Sequence, residues 1–181
     1  MKRVFGIAAL VLSALLLMAS AASAQVAPGT YTPDAGSFDS ANAPGSSHLR
    51  SGTVQCVVTD DLDVNCDPYV LGGVGNTNAV VSLTASYTAI IDCNNPGNNR
   101  NNPIESHTAD FEAADSATVP STRNGQLRVP AQSVSAFDAP QVCPNDRWVP
   151  EIRDGTLELV SFTYTLTFAG FSSPYITISA P

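Results

Sequence analysis

The sequence holds a single lysine, Lys2, and every basic residue from position 25 onward is an arginine. Without lysine in that span, Schiff-base catalysis, intramolecular Lys–Asn crosslinks and lysine-dependent covalent pilus assembly are all excluded there. Positive charge of any kind is scarce. Eight Lys and Arg stand against 16 Asp and Glu, a net charge of −8. Nucleic acid and anionic membrane both require clustered positive charge, so neither is an expected partner.

Histidine is reduced to His48 and His107, far apart and without a partner motif, and both are expected on the surface or in loops. No C-x-x-C pair, H-E-x-x-H helix or G-x-S-x-G elbow is present, which removes the usual zinc, metalloprotease and serine-hydrolase signatures. The glycine-rich stretch Leu71-Gly72-Gly73-Val74-Gly75-Asn76 lacks the Lys-Ser/Thr that completes a phosphate loop, and reads as a connector. Four glutamates, Glu105, Glu112, Glu151 and Glu158, could form a glycosidase pair in principle. Glu151 and Glu158 would face each other if Asp154-Gly155 turned a hairpin. Surface carboxylates in an acidic chain meet this way by chance, however, and no enzymatic activity is expected.

The longest apolar run, Phe5 to Met18, is shorter than the roughly 20 residues that cross a bilayer. It follows Lys2 and Arg3 and precedes Ala22-Ser23-Ala24, the layout of a secretory signal peptide over residues 1–24. Cleavage before Gln25 removes two positive charges and leaves a more acidic chain. The expected location is secreted, extracellular or periplasmic, with no membrane insertion after cleavage.

Export changes the meaning of Cys56, Cys66, Cys93 and Cys143: an even count in an oxidising compartment reads as two disulfides. The first hairpin offers a test of connectivity. A turn centred on Asp61 places Cys56 opposite Cys66 and Val58 opposite Val64, so one register pairs both cysteines and apolar residues. Cys56–Cys66 is therefore expected, leaving Cys93 to bond Cys143. The longer loop closed by the second bridge is worth about 3–4 kcal/mol by the chain-entropy argument.

Residues 25–50 are dominated by Ala, Ser, Gly, Pro and Asp without apolar periodicity, and are expected to form a flexible leader. From residue 51 to 181 the pattern is strand after strand. Ala79 to Cys93 alternates strictly, with Val81, Leu83, Ala85, Tyr87, Ala89 and Ile91 opposed by Ser82, Thr84, Ser86 and Thr88. Leu157 to Ala169 repeats this, with Val160, Phe162, Tyr164, Leu166 and Phe168 on its bulky face. Shorter strands are expected at Thr118–Thr122, at Leu127–Phe137 beyond an Asn124-Gly125 turn, and at Tyr175–Ser179. Seven or eight antiparallel strands predict an all-β domain, a two-sheet β-sandwich of immunoglobulin-like or jelly-roll-like topology, monomeric.

Candidate binding groups are few. Asp61, Asp63, Asn65 and Asp67 alternate, so they would share one face as hard oxygen ligands for Ca²⁺. The competing reading, which is preferred, is a solvated carboxylate strip that protects an edge strand and needs no cofactor. Trp148, in a loop tethered by Cys143, is a candidate sugar platform or protein contact, with Tyr69 and Tyr175 as weaker versions. Asn98 and Asn99, in an amide-rich loop, could hydrogen-bond sugar hydroxyls. The expected role is a non-enzymatic structural or binding protein whose loops contact a protein or glycan at the cell surface. The alternative is a small carbohydrate-binding module, with or without calcium, and more remotely a glycoside hydrolase.

Overall fold

The computed structural model describes residues 25–97, 103–136 and 139–181. The signal-peptide reading of residues 1–24 and the candidates Asn98 and Asn99 lie outside the described residues. The strands in chain order are β1 (Gly29–Tyr31), β2 (His48–Gly52), β3 (Cys56–Val58), β4 (Val64–Cys66), β5 (Tyr69–Gly72) and β6 (Ala79–Asn94). They continue as β7 (Glu105–Val119), β8 (Gln126–Val129), β9 (Gln132–Val134), β10 (Val149–Ile152), β11 (Glu158–Phe168) and β12 (Ile176–Ala180). One 3-10 turn, Ser40–Asn42, is capped by Asp39, whose side chain accepts from the Ala41 N–H. The domain is all-β, with three antiparallel sheets and two disulfides.

β6 is the spine. Its apolar positions from Val81 to Ile91 are all buried, as the period-two pattern requires, while Ser82 to Thr88 face outward. β7 pairs along one edge over its whole length, from Ala79↔Val119 to Cys93↔Glu105. β11 occupies the other edge from Phe168↔Ala79 to Glu158↔Thr88, and β12 lies beyond it. A bulge at Val160 shifts the β11 register between Leu159 and Ser161. Leu159, not Val160, therefore enters the core beside Phe162, Tyr164, Leu166 and Phe168.

The Asp154-Gly155 turn does not make a hairpin. β10 pairs with the same edge of β6 as β11, further along, from Ile152↔Ile91 to Val149↔Asn94. Both run antiparallel to β6, so the chain keeps its direction and the turn is a loop between collinear strands. Glu151 faces Asp92 and Glu158 faces Thr88, which puts their backbones roughly 13 Å apart along β6. They do not oppose each other as a carboxylate pair.

The two small sheets have the orders β1-β3-β4-β9 and β2-β5-β8. In the first hairpin Cys56 pairs with Cys66 and Val58 with Val64, and the Cys56–Cys66 disulfide bridges that register. Proline divides the expected Leu127–Phe137 strand. Pro130 cannot donate to a ladder, so β8 ends at Val129 in one sheet and β9 begins at Gln132 in the other. At Gly73 the chain passes so close to the Ser46 carbonyl that any Cβ would collide with it, and φ is +74°.

Residues 25–50 are built into the domain, contrary to the flexible leader expected from their composition. The Val26 N–H donates to the Leu159 carbonyl at 2.9 Å, and β1 pairs with β3. Tyr31 packs edge-on against Phe162, with ring centroids 5.1 Å apart. Asp34 accepts from both the backbone N–H and the hydroxyl of Ser179. Sheet pairing is a backbone property and needs only a few anchoring side chains, which composition does not reveal.

One core cluster spans all three sheets and includes Leu71, Leu83, Leu127, Phe162, Tyr164 and Ile178. Across it the Tyr69 and Tyr164 hydroxyls share a hydrogen bond of 2.9 Å. Burial pushes the Tyr164 hydroxyl up to about 12 and the Tyr69 hydroxyl well above the usual tyrosine range.

Candidate binding site

The end of β6 beyond Tyr87 leaves the main core. Its buried face there rests on a small separate cluster, Ala89, Ile91 and Ala109, with Phe111, Ala139, Ile152 and Leu157 packed around it. Two devices fasten this tip. On the inner face the Cys93–Cys143 disulfide joins the strand end to the segment that leads to Trp148. On the outer face Arg153 donates to both oxygens of Asp92, at 2.7 and 3.2 Å, and to the Ser106 hydroxyl at 2.8 Å. The Arg153 guanidinium, helped by the Ser106 hydroxyl, outweighs burial and holds the Asp92 carboxyl below the usual carboxylate range.

Pairing of Val149 with Asn94 then brings two loops side by side. One descends from Asn145, whose carbonyl accepts the Trp148 N–H and whose side chain accepts the Arg147 N–H, a local turn that fixes the tryptophan's approach. The other leaves β6 through Asn95, Pro96 and Gly97. Between them lies a hollow of about 350 Å³ lined by Asn94, Asn95, Pro96, Gly97, Val149, Pro150 and Glu151. Asn94 is only 7 % exposed and its Nδ2 donates to Glu151 Oε2 at 3.2 Å. Its Oδ1 is buried with no hydrogen-bond partner among the described residues, a deficit that typically costs about 1–3 kcal/mol. Val149 is 53 % exposed beside it, and Trp148 is half-buried without joining either core cluster.

A second hollow, of about 530 Å³, lies on the same sheet, lined by Ser86, Tyr87, Thr88, Asp110, Phe111, Glu112 and Val160. Pairing of Ser86 with Glu112 and of Thr88 with Asp110 sets hydroxyls against carboxylates, and the Val160 bulge closes one side. Both hollows fall within the size range of small-ligand sites, about 300–1,000 Å³.

The residues singled out from sequence fare differently. Trp148 is half-buried and directly precedes Val149, which lines the hollow, but does not line it itself, and Asn98 and Asn99 lie outside the described residues. Tyr69 and Tyr175 are buried instead of displayed: they are 3 % and 2 % exposed, and their hydroxyls bond Tyr164 and the Ser47 carbonyl. Each ring is apolar bulk that the core absorbs, with a polar tip that finds a partner there.

Asp61, Asp63, Asn65 and Asp67 do not converge. Leu62 takes a left-handed φ of +64° in the turn, which breaks the alternation before the strand begins. Asp61 stays in that turn, and Asp67 accepts from Gln55 Nε2 at 2.8 Å. Sequence reasoning missed Asn94, Asp92, Ser106 and Arg153, whose proximity depends on the β10–β6 register. It also missed Asp110 and Glu112 as members of one long strand, although the alternation Ala109, Phe111, Ala113, Ala117, Val119 was available as a signal. Compared with protein-family models, curated proteins and solved structures, the chain matches none of them.

Proposed function

We propose that this chain is an exported, non-catalytic binding domain that holds a glycan at the tip of its long sheet, outside the cell or in the periplasm. The observation that carries the reading is the tip hollow. There a nine-tenths-buried amide, whose acceptor has no partner among the described residues, meets a carboxylate and a proline, and Val149 of the same lining follows the single tryptophan in the chain. Amide and carboxylate groups suit sugar hydroxyls, and an indole suits the apolar face of a pyranose ring. Two disulfides support export, since such bonds persist in oxidising compartments. An acidic chain, free of lysine from residue 25 onward, is suited to solubility there.

The finer fold reading is a two-layer sandwich. Chain segments β2 then β3, β4 then β5, and β8 then β9 run through the two small sheets in matching order. The Asp67 N–H donates to the Gln55 carbonyl across the interruption, at 3.0 Å. We read the small sheets as halves of one layer, split near Pro68 and Pro130, facing the long sheet in an immunoglobulin-like or jelly-roll-like manner.

A glycan array with the mature chain tests the function. Binding that falls at least tenfold in Trp148→Ala, with the far-ultraviolet spectrum retained, is the expected result. Binding indifferent to Trp148→Ala moves the site away from the tip. An array without hits refutes the glycan reading and leaves a protein partner as the occupant of the exposed Val149–Pro150 edge.

A further inference from the structure

We infer that the Cys93–Cys143 disulfide has an alternative state, in which the two reduced cysteines, His107 and Glu105 bind one Zn²⁺. The register of β6 and β7 places Glu105 directly across from Cys93, on the same inner face, and His107 two residues further along that face. The ligand atoms of Cys93, Glu105 and His107 all lie within 4.8 Å of one another. Cys143 contributes a fourth, since its sulfur is bonded to that of Cys93. Among the described residues no other group of His, Cys, Asp or Glu comes together in this way.

In the oxidised chain the pair His107–Glu105 makes only a contact of 2.9 Å, with both side chains partly in water. The disulfide sulfurs carry no charge and bind zinc poorly. A dithiol reductant changes that. It delivers two electrons and two protons to the Cys93–Cys143 bond, which becomes two thiols, while the reductant closes to its own disulfide. Zn²⁺ then displaces the two thiol protons to solvent and takes two thiolates, a neutral imidazole nitrogen of His107 and the Glu105 carboxylate. Two sulfurs, one nitrogen and one oxygen complete the four-coordinate tetrahedral set that zinc prefers. Zinc bonds of roughly 2.0–2.3 Å place neighbouring ligand atoms about 3.3–3.8 Å apart, so the Cys93, Glu105 and His107 atoms have to draw in by about an ångström while the two sulfurs, 2.08 Å apart when bonded, separate.

The consequence is that the tip has two fasteners for one joint. A chain that has not yet been oxidised, or has been reduced again, holds β6 to the Trp148 segment through the metal. Asn94 and Glu151 of the glycan hollow belong to the other face of the sheet, while Pro150 of the same hollow pairs with Cys93.

The test uses the mature chain, reduced with a phosphine and freed of reductant without oxygen, with Co²⁺ as the spectroscopic probe and Zn²⁺ as competitor. One Co²⁺ per chain is expected, with thiolate-to-metal charge transfer and the visible bands of tetrahedral cobalt. The oxidised chain should take up none under the same conditions. Affinity should fall at least tenfold in His107→Ala and in Glu105→Gln, two partly exposed positions that the fold tolerates, and be unchanged in a Cys56→Ser/Cys66→Ser chain. Absence of uptake by the reduced chain overturns the inference. So does uptake that is equal in the wild type, His107→Ala and Glu105→Gln, which would place the metal on cysteines alone. Should the Cys56→Ser/Cys66→Ser chain fail to fold, the comparison of wild type with the His107 and Glu105 variants decides the question without it.

Discussion

The two halves of β6 obey one alternation and have different fates. From Ala79 to Tyr87 the inward side chains enter a core that all three sheets share. From Ala89 to Cys93 the same face meets only a small separate cluster, and the strand is held by a disulfide, an arginine clamp and pairing with β10. Hydrophobic burial scales with area, so bulky Leu83, Tyr87 and their partners stabilise the first half in a way that Ala89 and Ala109 cannot. The tip compensates with covalent and polar fastenings. It is there, where packing is thinnest, that a half-paired amide and an exposed valine border a hollow.

If this division is right, the largest effects belong to the shared core. Phe162→Ala removes a ring that packs with Tyr31 and should cost about 3–5 kcal/mol in denaturant unfolding. A cost below about 1 kcal/mol would mean that the core is not shared as described. Next comes the tip fastener. Replacing Cys93 and Cys143 together by serine opens a loop of sequence separation 50 and should cost about 4 kcal/mol, against about 2.5–3 for the separation-10 bridge Cys56–Cys66. The reverse order would show that the tip is fastened mainly by its polar contacts.

Smaller is the buried hydroxyl pair. Tyr164→Phe strands the Tyr69 hydroxyl and should cost about 1–3 kcal/mol, whereas the double phenylalanine variant should recover most of that. The same pair sets an alkaline limit. Tyrosines whose folded value is raised contribute stability that is complete below their unfolded value of about 10 and is lost as pH rises through the folded value. With Tyr87 and Tyr164 raised to about 12, stability should decline between about pH 10 and 12, and tyrosinate absorbance of these rings should lag behind that of free tyrosine. Full titration near pH 10 in the folded domain would show the rings to be open to solvent.

The smallest expected change is at the outer clamp. The Asp92 carboxyl is held low by Arg153, so its contribution is present above the unfolded aspartate value and is lost as pH falls through the folded one. Asp92→Asn should therefore lower stability modestly at neutral pH and leave it unchanged in acid where the carboxyl is protonated anyway, which flattens the acid limb of a stability–pH curve.

Legibility in the sequence followed side-chain bulk. β6 and β11 could be read because large apolar residues alternate with Ser and Thr, and the hairpin register made Cys56–Cys66 the natural pair, leaving Cys93 for Cys143. β7 was hidden because its inward positions include Ala109, Ala113, Asp115 and Ala117, whose contrast with the outer face is weak. The 25–50 segment was hidden because Val26, Tyr31 and Phe38 are scattered among turn formers, and its ladder bonds carry no sequence signature. Asp154-Gly155 announced a turn correctly but could not say whether the next strand reverses or continues. The candidate site shared that limit. Trp148 was legible as a lone indole, whereas Asn94 became notable only once pairing set it beside Val149 and Glu151.

The long pairing of β6 with β7 also has a mechanical meaning. A load applied at the tip and directed along the strands acts on a ladder that runs the full 15 residues of β7. Only a pull that drew β6 along its axis against β7 would load every rung in shear, instead of parting them one after another as in a zipper opened from its end. Sliding β6 out of the sheet would therefore require breaking the whole 15-residue ladder at once, so the spine resists extension along its own axis more than peeling from an end.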